Sequence, residues 1–165
     1  MKIEQVMQDA INEQINAELE SAYIYLSMSA HFEAENLPGF ARWMRVQSRE
    51  EVGHALRLFD YLTERNGRVQ LQALAQPPVT FGSPVSVFEQ ALAHEQKISS
   101  LINGLYEAAK QHGDNPTQVM LQWFINEQVE EENNVGLVVE QMRLADDNRA
   151  ALLFLDRQLG SRSEE

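Results

Sequence analysis

The sequence predicts an all-α protein: a four-helix bundle with a long crossover between helices two and three and a short C-terminal fifth helix. Three observations lead there. Four long stretches repeat core-type residues at heptad spacing, the period of one helix face. Turn signals separate these stretches with uneven lengths: short, long, short. A polar triad also recurs in both halves of the chain at one offset. Glu18, Glu51 and His54 in the first half are matched by Glu95, Gln128 and Glu131 in the second, each 77 residues further on.

In the first stretch Ile11, Glu18, Tyr25 and Phe32 are seven apart and interleave with Gln14, Ser21 and Met28, which predicts a helix over roughly residues 4–35. Asn36-Leu37-Pro38-Gly39 is a turn, with Pro38 at the start of the next helix. The second stripe is Phe40, Met44, Gln47, Glu51, His54, Leu58 and Tyr61, stopped by the C-cap signal Asn66-Gly67. The third starts at Ser83-Pro84, runs through Phe88, Leu92, Glu95, Ser99, Ile102, Tyr106 and Ala109, and ends near Gly113. The fourth starts at Asn115-Pro116 and runs Leu121, Phe124, Gln128, Glu131, Val135, Val138 and Met142. Asp146-Asp147-Asn148 breaks the chain; Ala150 to Leu159 reads as a short apolar fifth helix and Gly160 to Glu165 as a solvated tail.

Short turns make helices one and two antiparallel, and likewise three and four. The link from Gly67 to Ser83 is long enough to run the length of the bundle, making helices two and three parallel. It carries Val69, Leu71, Leu74, Val79 and Phe81, so it is expected to be packed against something, a partner subunit being the natural candidate.

Composition sets the bounds. At 165 residues the chain suits a single domain, residues 1–165, with a sizeable core. With no cysteine, disulfides, thiolate metal sites and thiol catalysis are excluded. The amphipathic start MKIEQVMQDAINEQ lacks the uninterrupted apolar stretch of a secretory signal, and no run is long enough to cross a bilayer, so a cytoplasmic protein with no membrane partner is expected. A formal charge of −12, from 13 Lys+Arg against 25 Asp+Glu, argues against nucleic acid and suits cations.

The triads carry the chemistry. Each member lies about 12–15 residues from its helix start, about 18–22 Å along it, near mid-height in every helix. A carboxylate in an apolar seam is costly unless a cation meets it. Carboxylates and an imidazole converging at one height therefore point to a metal pair. Little imidazole and much carboxylate suits iron or manganese rather than structural zinc. Glu51-x-x-His54 places both groups on one helix face. Taken alone that motif is weak, since a solvated acidic face produces it readily. Its weight comes from lying in a seam opposite the other polar seam residues.

Here the sequence resembles the prokaryotic non-haem ferritins, in stretches such as EEVGHALRLFDYL and WFINEQVEEE and over essentially the whole chain. The resemblance implies a ferritin-like di-iron bundle. It implies that Glu18, Glu51 and His54 hold one iron and that Glu51, Glu95 and Glu131 hold the other, with Glu51 bridging. Gln128 then faces the second iron as a poor ligand that hydrogen-bonds water or oxygen, and Tyr25 hydrogen-bonds within the centre. Residues matching Glu50, Glu127 and Glu130 form a third iron site in this family, aided by Glu131; the plain alternative is that EQVEEE is a solvated acidic run. Trp123 and Tyr25 are oxidisable aromatics near the centre, which core packing alone also explains.

Bacterioferritins differ. They carry a second Glu-x-x-His in the fourth helix, where this chain has Gln128-x-x-Glu131, and a haem-ligating methionine where this chain has Val52. No haem is expected. His31, His94 and His112 lack ligand spacing and read as surface or local hydrogen-bonding residues. The implied function is iron storage with ferroxidase activity. Fe2+ is oxidised by dioxygen or peroxide, and Fe3+ is kept as a mineral inside a homo-oligomeric shell of 24 subunits. The alternative is a di-iron oxidase or peroxidase that stores nothing.

Overall fold

The computed structural model describes residues 2–146 and 148–162. Five helices follow in order: α1 (Gln5–Ala34), α2 (Pro38–Glu64), α3 (Pro84–Gln111), α4 (Asn115–Ala145) and α5 (Arg149–Leu159). Met1, Asp147 of the expected break, and Ser163 to Glu165 of the expected tail lie outside the described residues.

The helix ends have local causes. Pro38 and Pro84 open α2 and α3 at positions whose N–H needs no partner. Asp114 accepts from Thr117 N and Asn148 from Ala150 N and Ala151 N, capping α4 and α5. Asn36 (φ 59°) and Asn66 (φ 55°) take the left-handed turn after α1 and α2. Asn66, not Gly67, thus reverses the chain. Gly67 packs closely on Leu62, whose Cδ1 a Cβ there would meet at 2.4 Å.

The link between α2 and α3 runs the length of α1. Near the start of α1 it is tied by Arg68 N to Gln8 and by Asn12 to the carbonyl of Arg68 and the N–H of Gln70. Near the end of α1 it is tied by Ser27 to the Pro78 carbonyl and by His31 to the Gly82 carbonyl. Because α2 returns to the start of α1 and α3 begins at its end, α2 and α3 are parallel. Only part of the apolar link packs on its own bundle: Phe81 is buried and Val69 lies against the core, whereas Leu71, Leu74 and Val79 face outward. An extended chain cannot turn every side chain to one side.

Two other expectations shift in detail. On α3 the buried stripe is Phe88, Ala91, Glu95, Ile98, Ile102, Leu105 and Ala109. Leu92, Ser99 and Tyr106, expected in the seam, sit at its half-buried edge. The helix is rotated so that i+3 rather than i+4 neighbours point inward. On α5 only Leu155 and Asp156 are buried, and Leu153 and Phe154 are exposed.

The apolar core is split. One cluster, with Met28, Phe32, Phe40, Trp43, Phe88, Val135 and Met142, fills the end near the α1–α2 turn. The other, with Met7, Ile11, Ile15, Leu58, Leu62, Ile102, Leu121 and Phe124, fills the opposite end. Between them lies a buried polar belt: Gln14, Glu18, Ser21, Gln47, Glu51, His54, Glu95, Gln128 and Glu131. No helix among the described residues is long and apolar enough to cross a membrane.

Candidate metal centre

Each long helix delivers its part of the belt from mid-length. Glu18 comes from α1, Glu51 and His54 from consecutive turns of α2, Glu95 from α3, and Gln128 and Glu131 from consecutive turns of α4. The fold thus brings both sequence triads to one height.

The triad of the first half is compact. Glu18, Glu51 and His54 each offer a ligand atom within 4.8 Å of the others. His54 Nδ1 lies 3.3 Å from Glu51 Oε2, and Glu18 Oε1 accepts from Gln14 Nε2 at 2.8 Å. Glu18 Oε2 and Glu51 Oε1 are buried and meet no N–H or O–H donor among the described residues. The two carboxyl groups face each other, and only a proton or a cation can join them. Burial accordingly pushes Glu18 up to about 7 and Glu51 well above the usual carboxylate range, with Glu95 adding repulsion to both. His54 goes the other way, down to about 4, through burial and the nearby Arg57. A neutral imidazole beside oxygens that lack a partner is a donor set for a divalent cation.

The second-half triad is more occupied. The Tyr25 hydroxyl donates to Glu95 Oε1, and Gln128 Nε2 donates to Glu95 Oε2 at 3.1 Å. Gln47 Nε2 donates to Glu131 Oε2 at 2.7 Å. Burial raises Glu95, and burial with repulsion from Glu95 pushes Glu131 up to about 8. Gln128 is therefore an amide donor to a carboxylate, and Tyr25 is hydrogen-bonded within the belt.

Outside the belt a cleft of about 590 Å³ opens between α2 and α4. Its acidic lining is Glu50, Glu127, Glu130 and Glu131, and Arg49, Arg57 and Arg162 line it as well. His54, Glu127 and Glu131 also offer ligand atoms within 4.8 Å of one another, with His54 Nε2 3.8 Å from Glu127 Oε1. His54 thus faces Glu51 through one nitrogen and Glu127 through the other. Glu50 is paired with Arg162 at 2.7 Å, and Glu130 lines the cleft. Trp123 packs edge-on to His54 with centroids 5.5 Å apart, under the guanidinium of Arg57.

The seam pattern marks Gln14 and Gln47 without giving them a partner; in the structure each orients a carboxylate. Arg162, expected in a solvated tail, instead returns to the bundle, over the Trp43 ring. His94 matches its expected local role, bonding Ser21 Oγ at 2.7 Å. His31 does so with Gly82, and His112 pairs with Glu4 at the surface.

Residues 8–145 match the model of the ferritin-like domain. The chain is 42% identical over 160 residues to a bacterial non-heme ferritin of Bacteroides fragilis, covering 97% of this chain and 99% of that one. It is 35% identical over 155 residues to the bacterial non-heme ferritin of Escherichia coli O157:H7, covering 94% of each. Among solved structures it resembles an open pore ferritin from the archaeon Archaeoglobus fulgidus, with a TM-score of 0.97 and 46% identity over 98% of this chain and all of that one.

Proposed function

The chain belongs to the ferritin family, and on that footing we propose that it is an iron-storage subunit with ferroxidase activity. The observation that supports this best is the compact set Glu18, Glu51 and His54, with two buried carboxylate oxygens that no donor among the described residues satisfies. Fe2+ is the substrate. Glu18, Glu51 and His54 bind one ion; Glu51, Glu95 and Glu131 bind the second, with Glu51 shared between them. The carboxylates favour Fe3+ over Fe2+, because a hard ion of higher charge gains more from anionic oxygen. Each Fe2+ gives up one electron, and dioxygen or peroxide accepts them.

The chain's own residues prepare the binding. Gln14 holds Glu18, Gln47 holds Glu131, and Tyr25 with Gln128 holds Glu95, so these three carboxylates are oriented before a cation arrives. The protons on the raised acids leave as cations bind. The cleft lined by Glu127, Glu130 and Glu131 supplies a third cation position next to the pair. The residues flanking the belt inside the bundle (Tyr25, Phe32, Leu121, Phe124) are large and fully buried, and the cleft beside it is lined mainly by charged side chains, which favours cation storage over a non-storing oxidase acting on an organic substrate. Storage requires a shell, and the ferritin relatives support a homo-oligomer, for which we propose 24 subunits in the cytoplasm.

The test is an anaerobic Fe2+ titration followed by exposure to oxygen, with particle mass read by light scattering. Tight binding of a pair per chain, rapid oxidation and a shell that retains Fe3+ are expected. A particle that binds no Fe2+, or oxidises it and releases it all, overturns the reading.

A further inference from the structure

We propose that Arg162 is a tethered counter-cation of the outer acidic cleft, and that a divalent cation binding there must displace it from Glu50. The proposal rests on the iron-storage reading, in which cations enter this cleft.

The C-terminal helix brings Arg162 to its place. Asp156 Oδ1 accepts from Phe40 N at 2.8 Å, so α5 caps the first turn of α2. The contact is backbone on backbone. A Cβ on Gly39 would meet the Asp156 carbonyl oxygen at 1.7 Å, and one on Gly160 would meet Gly39 Cα at 2.8 Å. With α5 held so closely, the chain two residues beyond Gly160 has little choice of position. The Arg162 guanidinium lies over Trp43 at 4.9 Å. Its Nη2 donates to Glu50 Oε2 at 2.7 Å, and its Nη1 donates to Gln47 Oε1.

Those contacts reach both the outer cleft and the belt. Glu50 lines the cleft with Glu127, Glu130 and Glu131. Gln47, held through its carbonyl by Arg162, turns its amide nitrogen to Glu131. A guanidinium has donors only and cannot itself ligate a metal. It therefore competes with a metal for Glu50 Oε2. The pair is three-quarters or more shielded from water, with Arg162 23% and Glu50 20% exposed. The competition is thus weaker than in a dry interior and stronger than at an open surface. Arg162 is a positioning residue, acting through Glu50 and Gln47.

The experiment titrates the assembled protein with Zn2+, which binds without oxidation chemistry, and reads the binding by calorimetry. Glu51→Ala identifies the belt equivalents, because those are lost in that variant. Arg162→Gln is expected to bind the later, outer equivalents on the order of tenfold more tightly, the effect of losing one charge-assisted hydrogen bond. Arg162→Lys, which keeps the charge, should fall between the two. A second readout tracks Trp43 emission in a Trp123→Phe background. With Arg162 present the emission should change as the outer equivalents bind; in Arg162→Gln it should not. Outer affinity that is unchanged or weaker in Arg162→Gln overturns the proposal, as does Trp43 emission that stays constant while outer equivalents bind. So does a wild type and an Arg162→Gln that both bind belt equivalents and nothing further. If Glu51→Ala removes no equivalents, the ferroxidase reading fails instead, and the outer titration still decides the role of Arg162.

Discussion

The Tyr25 hydroxyl donates to Glu95 Oε1, so a residue of α1 holds the carboxylate of α3 that has no imidazole beside it. Both groups are fully buried, and their bond crosses the belt. Tyr25→Phe should leave the bundle folded at a cost of about 1–2 kcal/mol, since Glu95 keeps its bond from Gln128. Iron oxidation should slow several-fold without stopping, because Glu95 loses its fixed direction. Stopped-flow absorbance after mixing with oxygen, beside thermal unfolding, checks both. A wild-type rate would show that the Tyr25 bond is purely structural.

The two halves of the belt should fill in order. Glu18, Glu51 and His54 present close, partly unpartnered ligand atoms, whereas Glu95 and Glu131 already accept hydrogen bonds that a cation must rearrange. Imidazole strengthens the first position only. Crystals soaked anaerobically at low Fe2+ should show anomalous density beside His54 before density appears between Glu95 and Glu131. The reverse order would mean that imidazole does not set the affinities.

Glu51→Ala should reduce rapid oxidation by on the order of 100-fold or more, as both cations lose a ligand. The metal-free protein should be no less stable than wild type. Burial holds Glu51 well above the usual carboxylate range and its Oε1 meets no donor among the described residues, so its removal takes away a costly buried polar group, which offsets the cavity left behind. Initial oxidation rates and denaturant midpoints of chelator-treated protein measure the two effects. An undiminished rate would place the reaction elsewhere.

Glu130→Ala should spare the first rapid oxidation and alter the later turnovers. Glu130 lines the outer cleft, and it is not among the buried residues of the belt. The quantities to compare are oxygen consumed per iron and turnover on repeated additions. If both equal wild type, the acids at 127 and 130 form a solvated face.

Metal-free stability should fall as pH rises from about 6.5 to about 8. Glu18 and Glu131, ordinarily at 4.5, stand at about 7 and about 8 in the folded chain. The native state keeps protons that the unfolded chain has released, so stability declines as pH climbs through those values. His54 and His94 act oppositely: depressed from 6.5 to about 4, their contribution is complete above pH 6.5. Above that point the raised acids set the slope. Urea titrations of chelator-treated protein across this range should show the fall, and Glu131→Gln should flatten it. A rising midpoint would mean that the belt acids are already ionised in the native state.

The parts of the centre that violate a pattern are the parts readable in the sequence. Glu18, Glu51, Glu95 and Glu131 stand out because a seam position should be apolar, and the repeat at 77 residues ties them together. Gln14 and Gln47 violate the same pattern, but which carboxylate each reaches depends on how the helices are rotated. Heptad spacing alone does not fix that rotation: on α3, Ala91, Ile98 and Leu105 rather than Leu92, Ser99 and Tyr106 turn inward. Arg162 is unreadable for a different reason. A short polar tail after a glycine looks solvated, and only the close approach of Gly160 to Gly39 brings Arg162 back to the bundle. The path of the crossover is legible from its length. Which of its apolar residues turn outward is not, because an extended segment has no fixed face.

The division of the apolar core into two clusters bears on how much the centre can tolerate. Aromatic and aliphatic contacts at both ends clamp the four backbones, while the slab between them contains side chains that end in hydrogen bonds rather than in close hydrocarbon packing. The middle of the bundle is thus its polar layer, set between two apolar ones. The charge that the middle layer carries is met by side chains tied to one another, while the contacts that hold the helices together lie above and below it. The scaffold need not change shape when the charge on its cargo does.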